Sequence, residues 1–330
     1  MKKWPSIAIP VIFVVAVSCL LILAVVGCGN RSSKTKIRVG YIPFNNCLPF
    51  FVALEKGYFD KRGLDVKAVR CNDSTEALNV LLAGQVDALA GITFSSYWAA
   101  EQEQPGGLKL FLPHYETPDD PFSYLLVPMD GGIKDVSELR GKKIGTYTGV
   151  SQLLYLRLFL KKIDLDAEKD VSIVQVGSDL QIQALHAGQF DALFTVEPYG
   201  TIAVMKGIAK VLVASPRTKY IQDPFWGGAA AVTTKYLSQN KKAVSSLYEG
   251  MAEGVRFTRE NVTIAKGFLP KYTPMEPDVA AKSGLYKWVL LDEEYPMGGL
   301  QDLADVMASE KVLRKKVDAL SILINTADLK

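Results

Sequence analysis

The chain has 330 residues, 48% hydrophobic and 22% charged, with 38 Lys+Arg against 35 Asp+Glu. Its apolar content is too high for a disordered chain, and its near-neutral balance argues against a nucleic-acid binder, which carries a basic face. A single hydrophobic run reaches membrane-spanning length, which excludes a channel or permease.

That run comes first. Lys2 and Lys3 precede an apolar stretch, Ile7–Val26, interrupted only by Pro10 and Ser18. This is the layout of an export signal over residues 1–27. The stretch ends in Val25-Val26-Gly27-Cys28, which resembles the bacterial lipobox. The resemblance implies that Cys28 carries a lipid as the new first residue and that 28–36 is a flexible tether. A retained anchor is the alternative, since a run of about 20 apolar residues is long enough to cross a bilayer. Both readings put the folded part outside the cytoplasm. Residues 1–27 hold two lysines and no other charge, so 36 Lys+Arg and 35 Asp+Glu remain over 303 residues, enough for two lobes. Cys47 and Cys71 either pair in an oxidising compartment or stay buried thiols; their spacing leaves both open. There is no Cys-x-x-Cys, and His114 and His186 are far apart, so no metal or other cofactor is expected.

The next elements repeat. Strand Ile37–Ile42, helix Leu48–Phe59, strand Leu64–Val69, helix Ser74–Ala83 and strand Ala88–Ile92 are predicted first. Strand Lys143–Tyr147, helix Ser151–Lys162, strand Val171–Val176, helix Asp179–Ala187 and strand Ala192–Thr195 follow in the same order. Leu82-Ala83-Gly84-Gln85-Val86-Asp87-Ala88-Leu89 recurs as His186-Ala187-Gly188-Gln189-Phe190-Asp191-Ala192-Leu193, 104 positions later, and Gly40 matches Gly145 at an offset of 105. In each copy a Gly stands where a helix ends in the left-handed conformation. Two copies of a parallel βαβαβ unit are therefore predicted. Gly228–Thr234 reads as one more strand. Helical patterns fill the rest, including an apolar stripe of Val244, Leu247, Met251 and Val255 and a stretch from Leu300 to Leu323. This last third is expected to pack back on a lobe.

The residues at these places resemble a known superfamily. Gly40-Tyr41-Ile42-Pro43, Pro49–Phe59, Gly63-Leu64-Asp65-Val66, Asp135–Gly145 and Asp191–Tyr199 look like the ABC-transporter substrate-binding proteins for nitrate, alkanesulfonate, taurine and thiamine precursors. The match is spread in order from Ile37 to about Thr234. It implies an α/β periplasmic-binding fold of the second type, with 37–125 and 228–330 as lobe 1 and 126–227 as lobe 2. The implied crossings between lobes lie near Ser123–Val127 and Trp226–Val232. It also implies a monomer, anchored to the membrane by its lipid, that hands a small molecule to permease and ATPase subunits.

In open α/β sheets ligands sit beyond the carboxyl ends of the strands. The loops expected to form the site therefore contribute Asn45, Asn46, Thr93, Phe94, Ser95, Thr148, Gly149, Val150, Ser151, Gln152, Glu197, Tyr199 and Trp226. The amide and hydroxyl side chains among them donate and accept hydrogen bonds. The start of the helix after Thr148 offers N–H groups to an anion, although Ser151 reads equally as a plain N-cap. Glu197 reads either as an acceptor for ligand amino groups or as a helix-start acid. None of these loops holds Lys or Arg, so a neutral nitrogen heterocycle, such as a thiamine-precursor pyrimidine or a flavin-like ring, is the expected ligand. An aliphatic sulfonate, taurine or nitrate is the alternative. A pyrimidine-synthase-like enzyme is disfavoured because the chain lacks a cysteine cluster, a Gly-x-Ser-x-Gly elbow and a phosphate loop.

Overall fold

A computed structural model describes residues 1–2, 34–295 and 297–329. The signal, Cys28 and most of the tether lie outside the described residues. The chain divides into Met1–Lys34, of which Met1, Lys2 and Lys34 are described, and Thr35–Lys330, which carries the fold below. Among the described residues no helix is long and apolar enough to cross a membrane.

Among the described residues, eleven strands form two mixed sheets. The first joins β1 (Thr35–Tyr41), β2 (Leu64–Arg70), β3 (Ala88–Thr93), β4 (Leu108–Glu116), β10 (Phe225–Thr233) and β11 (Lys287–Trp288), in the order β11-β4-β10-β3-β1-β2. The second joins β5 (Ser123–Pro128), β6 (Lys143–Tyr147), β7 (Ser172–Val176), β8 (Ala192–Val196) and β9 (Ala209–Ala214), in the order β7-β6-β8-β5-β9. In each sheet the first strand of a βαβαβ unit pairs in parallel with the other two: β1 with β2 and β3, and β6 with β7 and β8.

The repeated octapeptide has one geometry in both places. Gly84 and Gly188 both have φ of 68°. Their N–H groups bond back to Leu81 and Leu185, and the following Gln85 and Gln189 bond to Val80 and Ala184. Asp87 and Asp191 then tie each turn to the first strand of their unit. The Arg38 N–H donates to Asp87 Oδ2 at 2.7 Å, and the Lys143 N–H donates to Asp191 Oδ2 at 2.8 Å. Gly40 and Gly145 leave room beside these turns: a Cβ there would lie 2.8 Å from Leu89 and 2.5 Å from Phe190. Identical local chemistry thus sets β3 against β1 and β8 against β6.

Several expectations are corrected. The helix expected over Leu48–Phe59 breaks into Leu48–Glu55 and Tyr58–Lys61, because Gly57 turns left-handed with φ of 67°. Only Gly298–Ser309 of the Leu300–Leu323 stretch becomes a long helix; 110 and 323 meet in an isolated bridge instead. β4, β5 and β9 were not predicted at all. The divisions at 125/126 and 227/228 cut through β5 and β10, and Ser123–Val127 and Trp226–Val232 are ladder strands rather than crossings. The chain changes sheet in 117–122 and in 215–224. Both segments carry proline, at Pro118, Pro121, Pro216 and Pro224, which has no N–H to give to a ladder. Cys47 and Cys71 are both free, buried thiols, and burial pushes Cys47 up to about 12.

The helix Lys241–Glu260 lays its stripe of Val244, Leu247, Met251 and Val255 into the core of the first sheet. It approaches closely enough that a Cβ at Gly254 would lie 2.2 Å from the Pro49 carbonyl.

Candidate functional site

A cavity of about 370 Å³ opens where the carboxyl ends of the parallel strands of both sheets meet. Its wall includes Ile42 to Phe44 after β1, Arg70 at the end of β2 and Asn72 to Thr75 after it, and Thr93 and Ser96 at and after the end of β3. From the second sheet come Tyr147 to Gln152 after β6, Gly177 to Asp179 after β7, and Val196 and Tyr199 after β8. This is where strand polarity puts ligand-binding loops, because each βα connection emerges on that side.

Of the residues expected from sequence, Asn46, Thr93, Thr148, Gly149, Val150, Ser151, Gln152 and Tyr199 border the cavity. The other five do not. Asn45 is fully buried and donates to Ser283 Oγ and the Gly284 carbonyl, both at 3.0 Å. Phe94 stacks on Trp98 and meets Trp226 edge-on, and Trp226 packs further against Tyr115 and Tyr295, so both rings belong to the core of the first sheet. Gly227 borders the cavity in Trp226's place. Ser95 joins a cluster of hydroxyls behind the wall. It donates to Thr93 Oγ1 at 3.2 Å and to Ser151 Oγ, while the Tyr155 hydroxyl donates to Ser95 at 3.3 Å.

Glu197 is directed away from the cavity. It is fully buried, and its Oε1 accepts from the Tyr124 hydroxyl (2.8 Å), the Thr201 hydroxyl (2.7 Å) and the Gly284 N–H (2.8 Å). Its Oε2 accepts from the Thr201 N–H at 3.3 Å. Burial pushes its pKa up, while these hydrogen bonds oppose the shift. Of its two sequence readings, the helix-start acid is the one this geometry matches. The plain N-cap reading of Ser151 does not survive, because Gly149 occupies the cap position of the helix Val150–Lys162 and supplies no side chain. The N–H groups of Val150, Ser151 and Gln152 have no acceptor among the described residues. They form a helix N-terminus open to an anion.

The residue that sequence reasoning missed is Arg217. It stands in the second sheet crossing, as the second residue of the short helix Pro216–Tyr220, yet it is only 3% exposed and borders the cavity. Nη1 donates to the Tyr286 hydroxyl at 3.4 Å and Nη2 donates to Gln152 Oε1. The guanidinium lies over the rings of Tyr155 and Phe225, 4.9 and 5.4 Å from their centres. Nε has no partner, and among the described residues no carboxylate pairs with this cation. Burial works against its charge, but Tyr286, Tyr147 and Glu116 outweigh that and raise its pKa. Arg217 is therefore a charged, buried donor. No local signal marks it, since its partners Gln152 and Tyr286 are 65 and 69 residues away.

The rest of the wall mixes polar loop residues, the charged Arg70, Asp73 and Asp179, and a group of aromatic rings. Tyr286 stacks on Phe122 with centroids 3.8 Å apart and packs against His114 at 4.7 Å. Burial lowers the His114 pKa to about 3, so this imidazole is neutral at any physiological pH. The arrangement offers a buried cation and a free helix end to an anionic head. Beside them lie Phe44, Phe122, Tyr147 and Tyr286 to receive an apolar remainder.

Residues 45–263 match the protein family described as NMT1/THI5 like. A protein of Bacillus subtilis (strain 168) whose name assigns it to aliphatic-sulfonate binding is 26% identical, over 99% of this chain and 96% of its own. The alkanesulfonate-binding protein of Xanthomonas axonopodis pv. citri, solved bound to MOPS, superposes with a TM-score of 0.72 at 17% identity. The superposition covers 89% of this chain and 100% of that one. The periplasmic aliphatic sulphonate-binding protein of Escherichia coli gives 0.70 at 19% identity, over 88% and 97%. At such identities the structural likeness establishes the fold, a periplasmic-binding fold.

Proposed function

The chain belongs to the NMT1/THI5-like family, and from that premise we propose that it is the substrate-binding component of an ABC importer that captures an organic sulfonate. The observation that carries this reading is Arg217, a buried cation without a carboxylate partner, facing a cavity next to an open helix end. Its Nε is buried without a hydrogen-bond partner, and a charge-assisted bond to an anionic oxygen in the cavity would satisfy it. A sulfonate presents three oxygens, enough to meet the guanidinium and the Val150–Gln152 N–H groups together. The cavity of about 370 Å³ falls in the ~300–1,000 Å³ range of organic-ligand pockets, and its aromatic wall favours a sulfonate with a carbon tail over nitrate.

The neutral heterocycle expected from the loops loses its support on two counts. Arg217 supplies the cation those loops lacked, and Glu197, meant to accept from ring amino groups, is taken up by Tyr124, Thr201 and Gly284. Two lobes, each built on one sheet and joined through 117–122 and 215–224, would close on the ligand by bending at those connections. Closure is driven only by contacts the ligand makes to both lobes at once. Delivery to a permease and ATPase, an extracytoplasmic location and a lipid on Cys28 belong to the same proposal.

The test is a thermal-shift and calorimetric screen of the chain without residues 1–28. Hexanesulfonate at 100 times its Kd should raise Tm by roughly 5–8 °C, the equivalent of about 2.7 kcal/mol. A shift with nitrate alone, or with a thiamine-precursor pyrimidine alone, refutes the sulfonate assignment.

A further inference from the structure

The buried guanidinium has a buried counter-charge that the sulfonate site does not itself use. Glu116 ends β4, is fully buried, and sits at the start of the first sheet crossing. Its Oε1 accepts from the Phe122 N–H (3.0 Å), the Ser123 N–H (2.8 Å) and the Ser123 hydroxyl (2.8 Å). All three donors come from the far end of that crossing. The same Ser123 hydroxyl accepts from the backbone N–H of Arg217 at 3.4 Å, and the Ser123 carbonyl accepts from the Ser215 N–H at 2.9 Å. Glu116, Ser123 and Arg217 therefore clasp the two crossings together. Glu116 Oε2 and Arg217 Nε are both buried and both without a hydrogen-bond partner.

We propose that Glu116 positions Arg217 and balances its charge in the empty protein, and that it takes up a proton when the anion arrives. The proposal rests on the sulfonate reading above. Its logic is electrostatic. One buried cation satisfies one buried anion; a second anion brought onto Arg217 leaves the Glu116 carboxylate in excess in a low-dielectric site. Protonating Glu116 removes that excess. The proton comes from solvent and adds to the carboxylate, so the occupied site holds one guanidinium, one sulfonate and a neutral carboxyl.

The surroundings leave few alternatives. Burial already pushes Glu116 up from the ordinary carboxylate range, with Arg217 and the Ser123 and Phe122 hydrogen bonds opposing it. The titratable groups coupled to it electrostatically include Arg217, Tyr124 from β5 and Tyr286 from the C-terminal segment; both tyrosines are pushed up by burial and stay neutral. His114, two residues earlier on β4, is held neutral. Glu197 is the other buried carboxyl near the cavity, on the far side of Tyr124.

The sign follows. Anion binding raises the Glu116 pKa further, so affinity falls as pH rises between the free-protein and bound-protein values and is level outside that window. The experiment is calorimetry of hexanesulfonate binding at pH 5 to 9, in buffers of different ionisation enthalpy, for the wild type and Glu116→Gln. Gln keeps the oxygen that Phe122 and Ser123 donate to and loses the charge. The wild type should take up a fraction of a proton per sulfonate and weaken with pH. Glu116→Gln should take up none and bind on the order of tenfold tighter at pH 8, the equivalent of one pKa unit.

Equal proton uptake in the two proteins overturns the proposal and assigns the proton to another group, with Glu197→Gln as the next comparison. Uptake absent from both overturns it as well and leaves Glu116 a purely structural clasp. A wild type that binds no sulfonate at any pH overturns the sulfonate reading and this inference together. Should Glu116→Gln melt more than 10 °C below the wild type, Glu116→Asp serves instead. It retains the charge, and the proposal then requires the proton uptake to persist.

Discussion

Replacing Arg217 by Gln is expected to weaken hexanesulfonate binding on the order of a hundredfold, the equivalent of about 3 kcal/mol. The guanidinium donates to Gln152 on the second-sheet side and to Tyr286, which stacks on the Phe122 end of the first crossing, so it holds both margins of the cavity in register. A Gln at 217 retains a hydrogen-bond donor but no charge, and the sulfonate is then left to the N–H groups of Val150, Ser151 and Gln152. Arg217→Lys keeps a point charge without the planar fork, and should recover part of the affinity but not its geometry. The control for folding is Tm without ligand. Removing Arg217 leaves Glu116 without its cation, so Arg217→Gln is expected to destabilise, and the double replacement with Glu116→Gln should restore part of that loss. Binding that survives Arg217→Gln within a factor of three would place the anion elsewhere.

The second large effect concerns the segment that ties the C-terminal third to both sheets. Ser283 and Gly284 accept from Asn45, the Gly284 N–H donates to Glu197, and Leu285 N–H donates to Asp120 at 3.3 Å. Gly284 approaches so closely that a Cβ would lie 1.8 Å from the Pro121 carbonyl oxygen. Its φ is not in the left-handed region, so the requirement for glycine there is one of space alone. Gly284→Ala must push the segment away from the first crossing. Overpacking against backbone costs ~1–3 kcal/mol, and leaving the buried Glu197 short of a donor adds ~1.5–3 kcal/mol. A total of about 3–5 kcal/mol should lower Tm by roughly 10 °C. Gly132→Ala is the matched control, because nothing lies within 4 Å of its added Cβ, and its Tm should stay within about 1 °C of wild type. Equal Tm values for the two variants would show that the Gly284 contact is not tight in solution.

These two residues mark the boundary of what can be read from the chain alone. The paired βαβαβ units were legible because their signals are local. A Gly that ends a helix, an Asp three residues on and the short apolar strand that follows are signals a few residues apart, and they act identically at Gly84 and Gly188. The loops at the ends of those strands were legible for the same reason, since strand polarity alone decides on which side they emerge. β4, β5 and β9 escaped because antiparallel partners far along the chain make them strands: β4 pairs with β10 and β5 with β8 and β9.

The charge of the site escaped for a related reason. Neutral loops were visible in the sequence; a cation brought in from position 217 by the second crossing, and its counter-charge at 116 by the first, were not. Strand-and-turn chemistry is settled by neighbours a few residues apart and is written into composition order. Which charges become buried beside which depends on long-range packing, where a single guanidinium enclosed by Gln152, Tyr155, Phe225 and Tyr286 reverses the ligand preference suggested by the four loops read from the sequence.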